Sequence, residues 1–570
     1  MKTKNQTIII HTLILGVILF AGLITGSAQT ANQDELLKIL KTEIAREMPY
    51  LKKADIPVYL LSYRVDEIET WGINTSFGTL TDSGWYWKER ILTVQVRVGD
   101  KNLDNFRELR DDSSEYFESS SFSVRISLDN NTKAIVSALW AATDEAYKTA
   151  ILRYEKVKTN VIVKVESEDK APDYSDVKPA LYYEPPIKRA DLKFNEKEWE
   201  TRLKSYSNQF VDIKDILGGE SNISFKIVRK YYVNSEGASI VQNNTYCHAY
   251  HDVLTQASDG MFLPLYQSYF GHTPADFPDD KTMMQDAKKI GRTAVSMKTA
   301  PVVEPYTGPA ILSNDAAGVL FHEIFGHRVE GQRMKSENDG QTFKKKIGEV
   351  VLHKDLSVIF DPTITYYKNL PLNGSFKYDD EGVKGEKVTV IEKGVLKNFL
   401  MTRTPIDNFP KSNGHARAQA GRQPVSRQSN LIVKTENPYT DSQLREMLIE
   451  EAKKQEKEYG YFFAKVQGGF TMTVRWLPNS FNISPLEVYR IYVDGRPDEL
   501  VRGVDLIGTP LSVFSHIAAA GDTPGNFAGT CGAESGRLPA GCSSPALFVK
   551  QIELQKKDKE QSRPPIIERP

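Results

Sequence analysis

The stretch VLFHEIFGHRVEGQR, residues 319–333, places two histidines and a glutamate between an apolar run and a charged one. The apolar run from Ala316 to Phe321 predicts that the motif enters on a helix. His322 and His327 lie five residues apart, whereas side chains that share one face of an α-helix lie three or four apart. The two imidazoles can therefore meet if the helix widens to an i→i+5 turn or ends at Gly326, whose backbone is unusually free.

Two histidines next to a glutamate are typical of zinc sites in which the imidazoles bind the metal and the carboxylate acts as a base. Catalytic zinc usually takes three protein ligands and keeps a fourth position for water, so one ligand is still to be found. The candidates are Cys531, Cys542 and the CHAYH group of Cys247, His248 and His251. The alternatives are a disulfide between the two C-terminal cysteines and, for the histidines, an ordinary core or surface role.

The length and charge of the chain limit the classes of protein to consider. A chain of 570 residues predicts two or three domains, because one hydrophobic core rarely organises so many residues. The 73 basic and 74 acidic residues give a net charge of −1, so there is no electrostatic reason to expect nucleic acid or an anionic membrane as a partner.

The first 28 residues have the order of a secretory signal. Two lysines precede an apolar run from Thr7 to Ile24, and small residues follow up to Ala28. We therefore expect an exported protein, periplasmic or extracellular, with an uncleaved N-terminal anchor as the alternative. No later stretch is long and apolar enough to span a bilayer, so we expect no stable membrane span after cleavage of the signal.

Hydrophobic periodicity predicts an α+β protein: an N-terminal α/β domain followed by a strand-rich C-terminal domain that carries the histidine helix. Helices are predicted at 32–48, 133–164 and 196–217, and a loop or linker at 165–190. The predicted boundaries are 1–28 for the signal, 29–300 for the N-terminal region, 301–555 for the C-terminal domain and 556–570 for a disordered tail.

Four segments, which together cover most of residues 310–554 in order, resemble the TldD/PmbA family of metalloproteases. They are HEIFGHRVEG, GSFKYDDEGVKGEKVTVIEKGVLKNFL (374–400), GTPLSVFSHI (508–517) and GTCGAESGRLPAGCSSPALFVKQIEL (529–554). The resemblance implies that Cys531 is the third zinc ligand and that the chain is of the catalytic, TldD-like kind. It also implies a homologous PmbA/TldE-like subunit as partner, in a hetero- or homodimer.

The sequence thus leads us to expect an exported zinc metalloprotease with Glu323 as general base. The resemblance implies its substrates, which are extended or unstructured polypeptides. The alternative is a non-catalytic subunit or binding protein whose zinc is structural. Glu330 could orient a ligand imidazole, and His415 and Arg417 could hold a peptide carboxylate or carbonyl. The chain departs from the family pattern in its signal, in Gln332 where aspartate is common, and in the segment SNGHARA.

Overall fold

The computed structural model describes residues 31–109, 121–163 and 169–557, together with 562, 563, 565–567 and 569. The predicted signal, residues 1–28, lies outside the described residues. The protein is α+β, with 26% helix and 40% strand, which confirms the predicted class. Within the described part of the chain no helix combines the length and the apolar character that a membrane crossing needs.

The N-terminal half folds around one large sheet. In chain order, its elements are α1 (Glu35–Leu51), β1 (Val58–Ser76), β2 (Thr79–Val98), β3 (Ser121–Arg125), α2 (Thr132–Val163), β4 (Leu181–Tyr183), α3 (Glu196–Ser207), β5 (Gly218–Asn234), β6 (Ser239–Gln256), β7 (Phe262–Gly271) and α4 (Asp280–Thr299). The strand order is β3-β2-β1-β5-β6-β4, with β7 paired to β6. Every pairing is antiparallel except that of β4 with β6.

Side chains alternate between the two faces of this sheet, and the two faces pack against different parts of the protein. On β1, Tyr63 packs with α1 and α2, and Trp71 packs with α3 and α4, so both helix pairs cover the same face. The residues that alternate with them carry charge: Arg64 and Asp66 are buried on the opposite face. That face turns towards the C-terminal half of the chain.

The C-terminal half is built on an eleven-stranded sheet. Its elements are β8 (Tyr306–Leu312), α5 (Asn314–Ile324), α6 (Gln332–Lys335), β9 (Leu356–Phe360), β10 (Tyr366–Tyr367), β11 (Leu370–Pro371), β12 (Val388–Glu392), β13 (Val395–Leu396), β14 (Ala416–Arg417), β15 (Val425–Ser426), β16 (Leu431–Thr435), α7 (Asp441–Lys454), β17 (Tyr459–Thr471), β18 (Phe481–Tyr492), β19 (Glu499–Val501), β20 (Val504–Gly508), α8 (Pro510–His516), β21 (Ile517–Ala533) and β22 (Gly536–Lys556). The pairings β22–β20–β18–β17–β8–β22 close a ring of five strands. Helix α5 leaves this ring directly after β8 and packs on β17, β21 and β22.

Two predicted elements differ from the structure. The helix predicted at 196–217 ends at Ser207, because the chain turns to bury Phe210 and Ile216 before it joins β5. Of the tail predicted to be disordered, 556–570, β22 includes Lys556, and Arg569 donates to the carbonyl oxygens of Phe210, Ile213 and Ile216. The disorder of the tail stays a prediction. The domain boundary predicted at residue 301 falls between α4 and β8, and it stays a prediction.

Buried ion pairs join the two halves. Asp380, from the loop before β12, pairs with Lys230 of β5 and Arg64 of β1. Arg403 is fully buried, and its guanidinium lies 4.0 Å from the ring centre of Tyr174. It donates to both carboxylate oxygens of Glu236, at 2.6 and 3.0 Å. A bidentate pair of this kind fixes orientation as well as distance.

Replacing Arg403 with methionine should therefore destabilise the whole chain. The change removes the bidentate partner of the Glu236 carboxylate and leaves it only Lys101, at 3.8 Å. Breaking a buried pair costs about 3 kcal/mol. The measurement is the midpoint of urea unfolding. Arg496→Met is the matched control, because Arg496 pairs with Asp494 in solvent and its loss should leave the midpoint unchanged. Equal midpoints for the two variants would contradict the assignment.

Candidate metal centre

Helix α5 places His322 in its last turn. The helix begins where the Ser313 hydroxyl accepts from the Ala316 backbone N–H, at 3.4 Å. It ends at Ile324, and His327 follows in a short 3₁₀ turn, Gly326–Val329. The five-residue spacing is thus accommodated by a helix end and not by a widened turn, and the two imidazole centres lie 5.0 Å apart.

Gly326 is required in this turn because there is no room for a side chain. Its φ is not in the left-handed region, so the predicted need for backbone freedom is not the reason for glycine here. A Cβ at this position would lie 1.9 Å from Oε1 of Gln428. The Gln428 side chain packs against the turn, and its Nε2 donates to the His322 carbonyl oxygen at 3.4 Å.

The third donor comes from the hairpin of β21 and β22. Donor atoms of His322, His327 and Cys531 all lie within 4.8 Å of one another, and all three residues are buried. Within the described residues this is the one such group of three, so the CHAYH histidines are not part of it. Nε2 of His327 lies 3.4 Å from Sγ of Cys531.

The structure excludes the alternative of a disulfide between Cys531 and Cys542. Cys531 pairs with Leu538 across the hairpin, and Cys542 pairs with Phe527. The two cysteines are therefore offset by four residues, or about 13 Å along the strands. A disulfide needs Cα atoms within about 7 Å, and all three cysteines of the chain are free.

A buried charge network surrounds the three donors. Glu330 is fully buried, and its Oε2 lies 3.2 Å from Nδ1 of His327 and 3.0 Å from Nε of Arg333. This contact is the one that the predicted role of Glu330 requires, and the role itself, to fix the orientation of an imidazole, stays a prediction. Arg427 reaches from the other side and donates from Nη2 to Sγ of Cys531 at 3.0 Å and to its carbonyl oxygen at 2.9 Å.

The same neighbours set the charge of each group. Burial alone would raise the pKa of the Cys531 thiol, but His327, His322 and Arg427 hold that pKa well below its usual value. Burial would lower the pKa of His327, but Cys531 and Glu330 raise it to about 9. These shifts favour the thiolate of Cys531 and the protonated ring of His327. A divalent cation would take the place of the imidazole protons and keep the charges balanced.

The donor set fits zinc. Two imidazoles and one thiolate are borderline-soft ligands of the kind that Zn²⁺ selects, whereas Mg²⁺ and Ca²⁺ select oxygen. Three protein donors leave a fourth position, as in catalytic zinc sites. His322, His327 and Cys531 are therefore the residues that would hold the ion.

Glu323 follows His322 directly in helix α5 and is not one of the three donors. The residue is 6% exposed, and in the described part of the chain no group donates a hydrogen bond to its carboxylate. Strand β17 passes so close that a Cβ on Gly469 would lie 2.9 Å from Cγ of Glu323.

The structure does not bring His415 and Arg417 to an open surface. His415 is fully buried, with Nδ1 at 3.1 Å from the Asn413 carbonyl and Nε2 at 3.1 Å from Oγ of Ser429. Arg417 donates to the carbonyl oxygens of Gln428 and Pro539. Because these polar atoms are already engaged inside the protein, the placement argues against the predicted role in binding a substrate.

Two residues at the site were not assigned a role from the sequence. Arg427 was not considered, since an isolated arginine in a loop carries no signal. Cys542 was considered only as a candidate ligand or disulfide partner, yet its Sγ lies 3.5 Å from Nδ1 of His322. The strand register that brings each of them to the site is a long-range property, which local sequence patterns do not contain.

Known proteins share the fold and the C-terminal sequence. A family model described as the PmbA/TldA metallopeptidase C-terminal domain matches residues 305–556. A metalloprotease of Methanocaldococcus jannaschii is 27% identical over 406 residues, which is 70% of this chain and 81% of that protein. A zinc metalloprotease TldD homolog of Saccharolobus solfataricus is 27% identical over 251 residues, or 43% of this chain and 51% of that protein.

Among solved structures, TldE from Thermococcus kodakarensis superposes with a TM-score of 0.57 and 12% identity, covering 90% of this chain and all of that one (100%). A likeness at this identity shows the fold alone, so the fold is that of the TldD/TldE class. The family model and the curated relatives show that residues 305–556 form the C-terminal domain of the TldD/PmbA family, and several relatives of the chain are named metalloproteases.

Arg427→Met should weaken metal binding without unfolding the protein. The change removes the donor to Cys531 and one of the two guanidinium groups beside Glu330, and loss of such supporting contacts costs about 10- to 100-fold in metal affinity. Competition with a chromophoric chelator measures the zinc affinity. Arg445→Met, in an exposed pair with Asp498, is the control. An Arg427 variant that binds zinc as tightly as this control would contradict the role given to Arg427.

Proposed function

We propose that the protein is a zinc-dependent peptidase. The observation that carries the proposal is the convergence of His322, His327 and Cys531 on one point. Glu323 follows His322 directly in helix α5. The match to a family whose relatives are named metalloproteases supports the reaction class, and one relative named a zinc metalloprotease supports the metal.

When bound, zinc would lower the pKa of a water molecule and polarise the scissile carbonyl. Glu323 takes the proton from the attacking water and gives it to the nitrogen of the leaving amine. Its buried position keeps bulk solvent from competing for that proton, and the absence of hydrogen-bond donors leaves its oxygens free to accept one. Glu330 and Arg427 keep the His327 ring and the Cys531 sulfur in place during these steps.

For the substrate we propose extended or unstructured polypeptides, and for the partner a homologous PmbA/TldE-like subunit. The family match supports both, and the likeness to TldE supports a partner of that fold. A stable monomer with full peptidase activity would contradict the partner.

We further propose that the protein is exported, which rests on the N-terminal sequence alone. We expect a mature chain that begins near Gln29 and lies outside the cytoplasm. A cytosolic chain with an intact Met1 would contradict the proposal.

Glu323→Gln should keep zinc at the stoichiometry of the parent and lose several orders of magnitude in peptide hydrolysis. Glutamine has nearly the same shape but cannot accept the proton at neutral pH, and Glu323 is not one of the three donors. Metal analysis and cleavage of an unfolded protein substrate are measured on the same samples.

Two results would contradict this account of Glu323. Loss of zinc in the glutamine variant would make Glu323 a ligand. Zinc retained in the parent, with no hydrolysis of any unfolded polypeptide by the parent, would favour the alternative of a non-catalytic subunit with a structural zinc. The presence of Glu323 next to the ligand His322 in the sequence argues against that alternative, because a structural site needs no base.

A further inference from the structure

Cys542 contacts the metal centre from outside the group of donors. The residue lies in β22 and is 1% exposed, and its Sγ is 3.5 Å from Nδ1 of His322. It is not one of the three residues whose donor atoms lie within 4.8 Å of one another. Because Nδ1 of His322 faces Cys542, Nε2 is the ring nitrogen left for the metal position.

A glycine in helix α5 allows strand β22 to approach the helix closely. Gly318 lies four residues before His322 and therefore on the same helix face. A Cβ on Gly318 would lie 2.9 Å from the Cys542 carbonyl oxygen and 3.2 Å from its Cβ. Such contacts force neighbours to move, so a larger residue at 318 would push the strand and its sulfur away from the imidazole.

We propose that Cys542 is a positioning residue for the metal centre: its sulfur accepts a hydrogen bond from Nδ1–H of His322 and holds the ring with Nε2 towards the ion. The inference rests on the proposed zinc site. An imidazole that binds a metal through Nε2 carries its proton on Nδ1, and that N–H needs an acceptor when it is buried. Sulfur accepts weakly, and Cys542 Sγ stands at hydrogen-bond distance from this nitrogen.

The two ligand histidines are then held by different chemistry. Glu330 holds His327 through a carboxylate, which makes that imidazole more basic, whereas Cys542 holds His322 through a thiol. A second carboxylate at this place would add a buried negative charge to a site that already contains the Cys531 thiolate. A sulfur at this place fixes the ring without adding a carboxylate.

The test compares the parent with Cys542→Ala, Cys542→Ser and the control Cys247→Ala. Cys247 is also a buried cysteine, in β6, so its removal gives a similar cavity far from the three donors. Each protein is loaded with Zn²⁺ in a chelator competition and with Co²⁺ for visible absorption, and the melting temperature of each metal-free protein reports on the fold.

We expect Cys542→Ala to bind zinc about 10- to 100-fold more weakly than Cys247→Ala, with altered Co²⁺ d–d bands. Serine should restore most of the affinity, because its hydroxyl also accepts. The thiolate-to-cobalt charge-transfer band should keep its intensity, since Cys531 alone supplies it. Equal zinc affinity in both alanine variants would overturn the proposal, and so would loss of about half of that band, which would make Cys542 a ligand.

A measurement on the unmutated protein covers the case in which the variants do not fold. In zinc-loaded protein labelled with ¹⁵N-histidine, NMR should show two metal-bound imidazoles, each with a proton on Nδ1. A His322 ring bound through Nδ1 would overturn the proposal. If the parent binds no metal at all, the proposed zinc site is wrong. If the parent binds zinc and the loss of Cys542 does not change how His322 binds it, only the inference about Cys542 is wrong.

Discussion

The buried carboxylate of Glu330 is the constraint on which the metal centre depends. Its charge is removed from solvent, and burial of an ion is tolerated only where partners neutralise it. His327 and Arg333 meet one of its oxygens, and Arg427 lies 3.5 Å from the other. Because Arg427 also donates to Cys531, one carboxylate links the histidine turn to the hairpin that carries the thiolate. Burial would raise the pKa of Glu330, yet these cations lower it to about 2.

This linkage matters because the donors come from distant parts of the chain. The histidines lie on α5 and the turn that follows, whereas Cys531 lies on β21, some two hundred residues later, and the separation is closed only by the folded sheet. An ion that binds all three donors therefore binds the native state far better than the unfolded chain, and it adds to native stability by mass action. The buried pairs between the first sheet and the loop of Asp380 join the N-terminal half to the same body.

The sequence predicted those features that local patterns encode. The apolar run before His322 correctly predicts a helix, and the odd spacing of the histidines correctly indicates that a regular helix cannot bring them together. It did not decide between a widened turn and a helix end, because the answer depends on the packing of Gln428 against Gly326. Cys531 was assigned by resemblance, since no local signal separates it from Cys542.

The features that sequence reasoning missed all depend on long-range register. Arg427 and Cys542 reach the site because β21, β22 and the loop before β16 meet there, and no spacing along the chain predicts that meeting. His415 and Arg417 look like loop residues from their neighbours, yet the fold buries them.

Zinc K-edge X-ray absorption on the metal-loaded protein tests the central claim most directly. The account predicts one sulfur scatterer at about 2.3 Å and two imidazole nitrogens at about 2.0–2.1 Å, with a light oxygen or nitrogen atom as the fourth neighbour. The sulfur should disappear in Cys531→Ser. Two sulfur scatterers, or none, in the parent protein would contradict the site of two histidines and one cysteine on which the proposed chemistry depends.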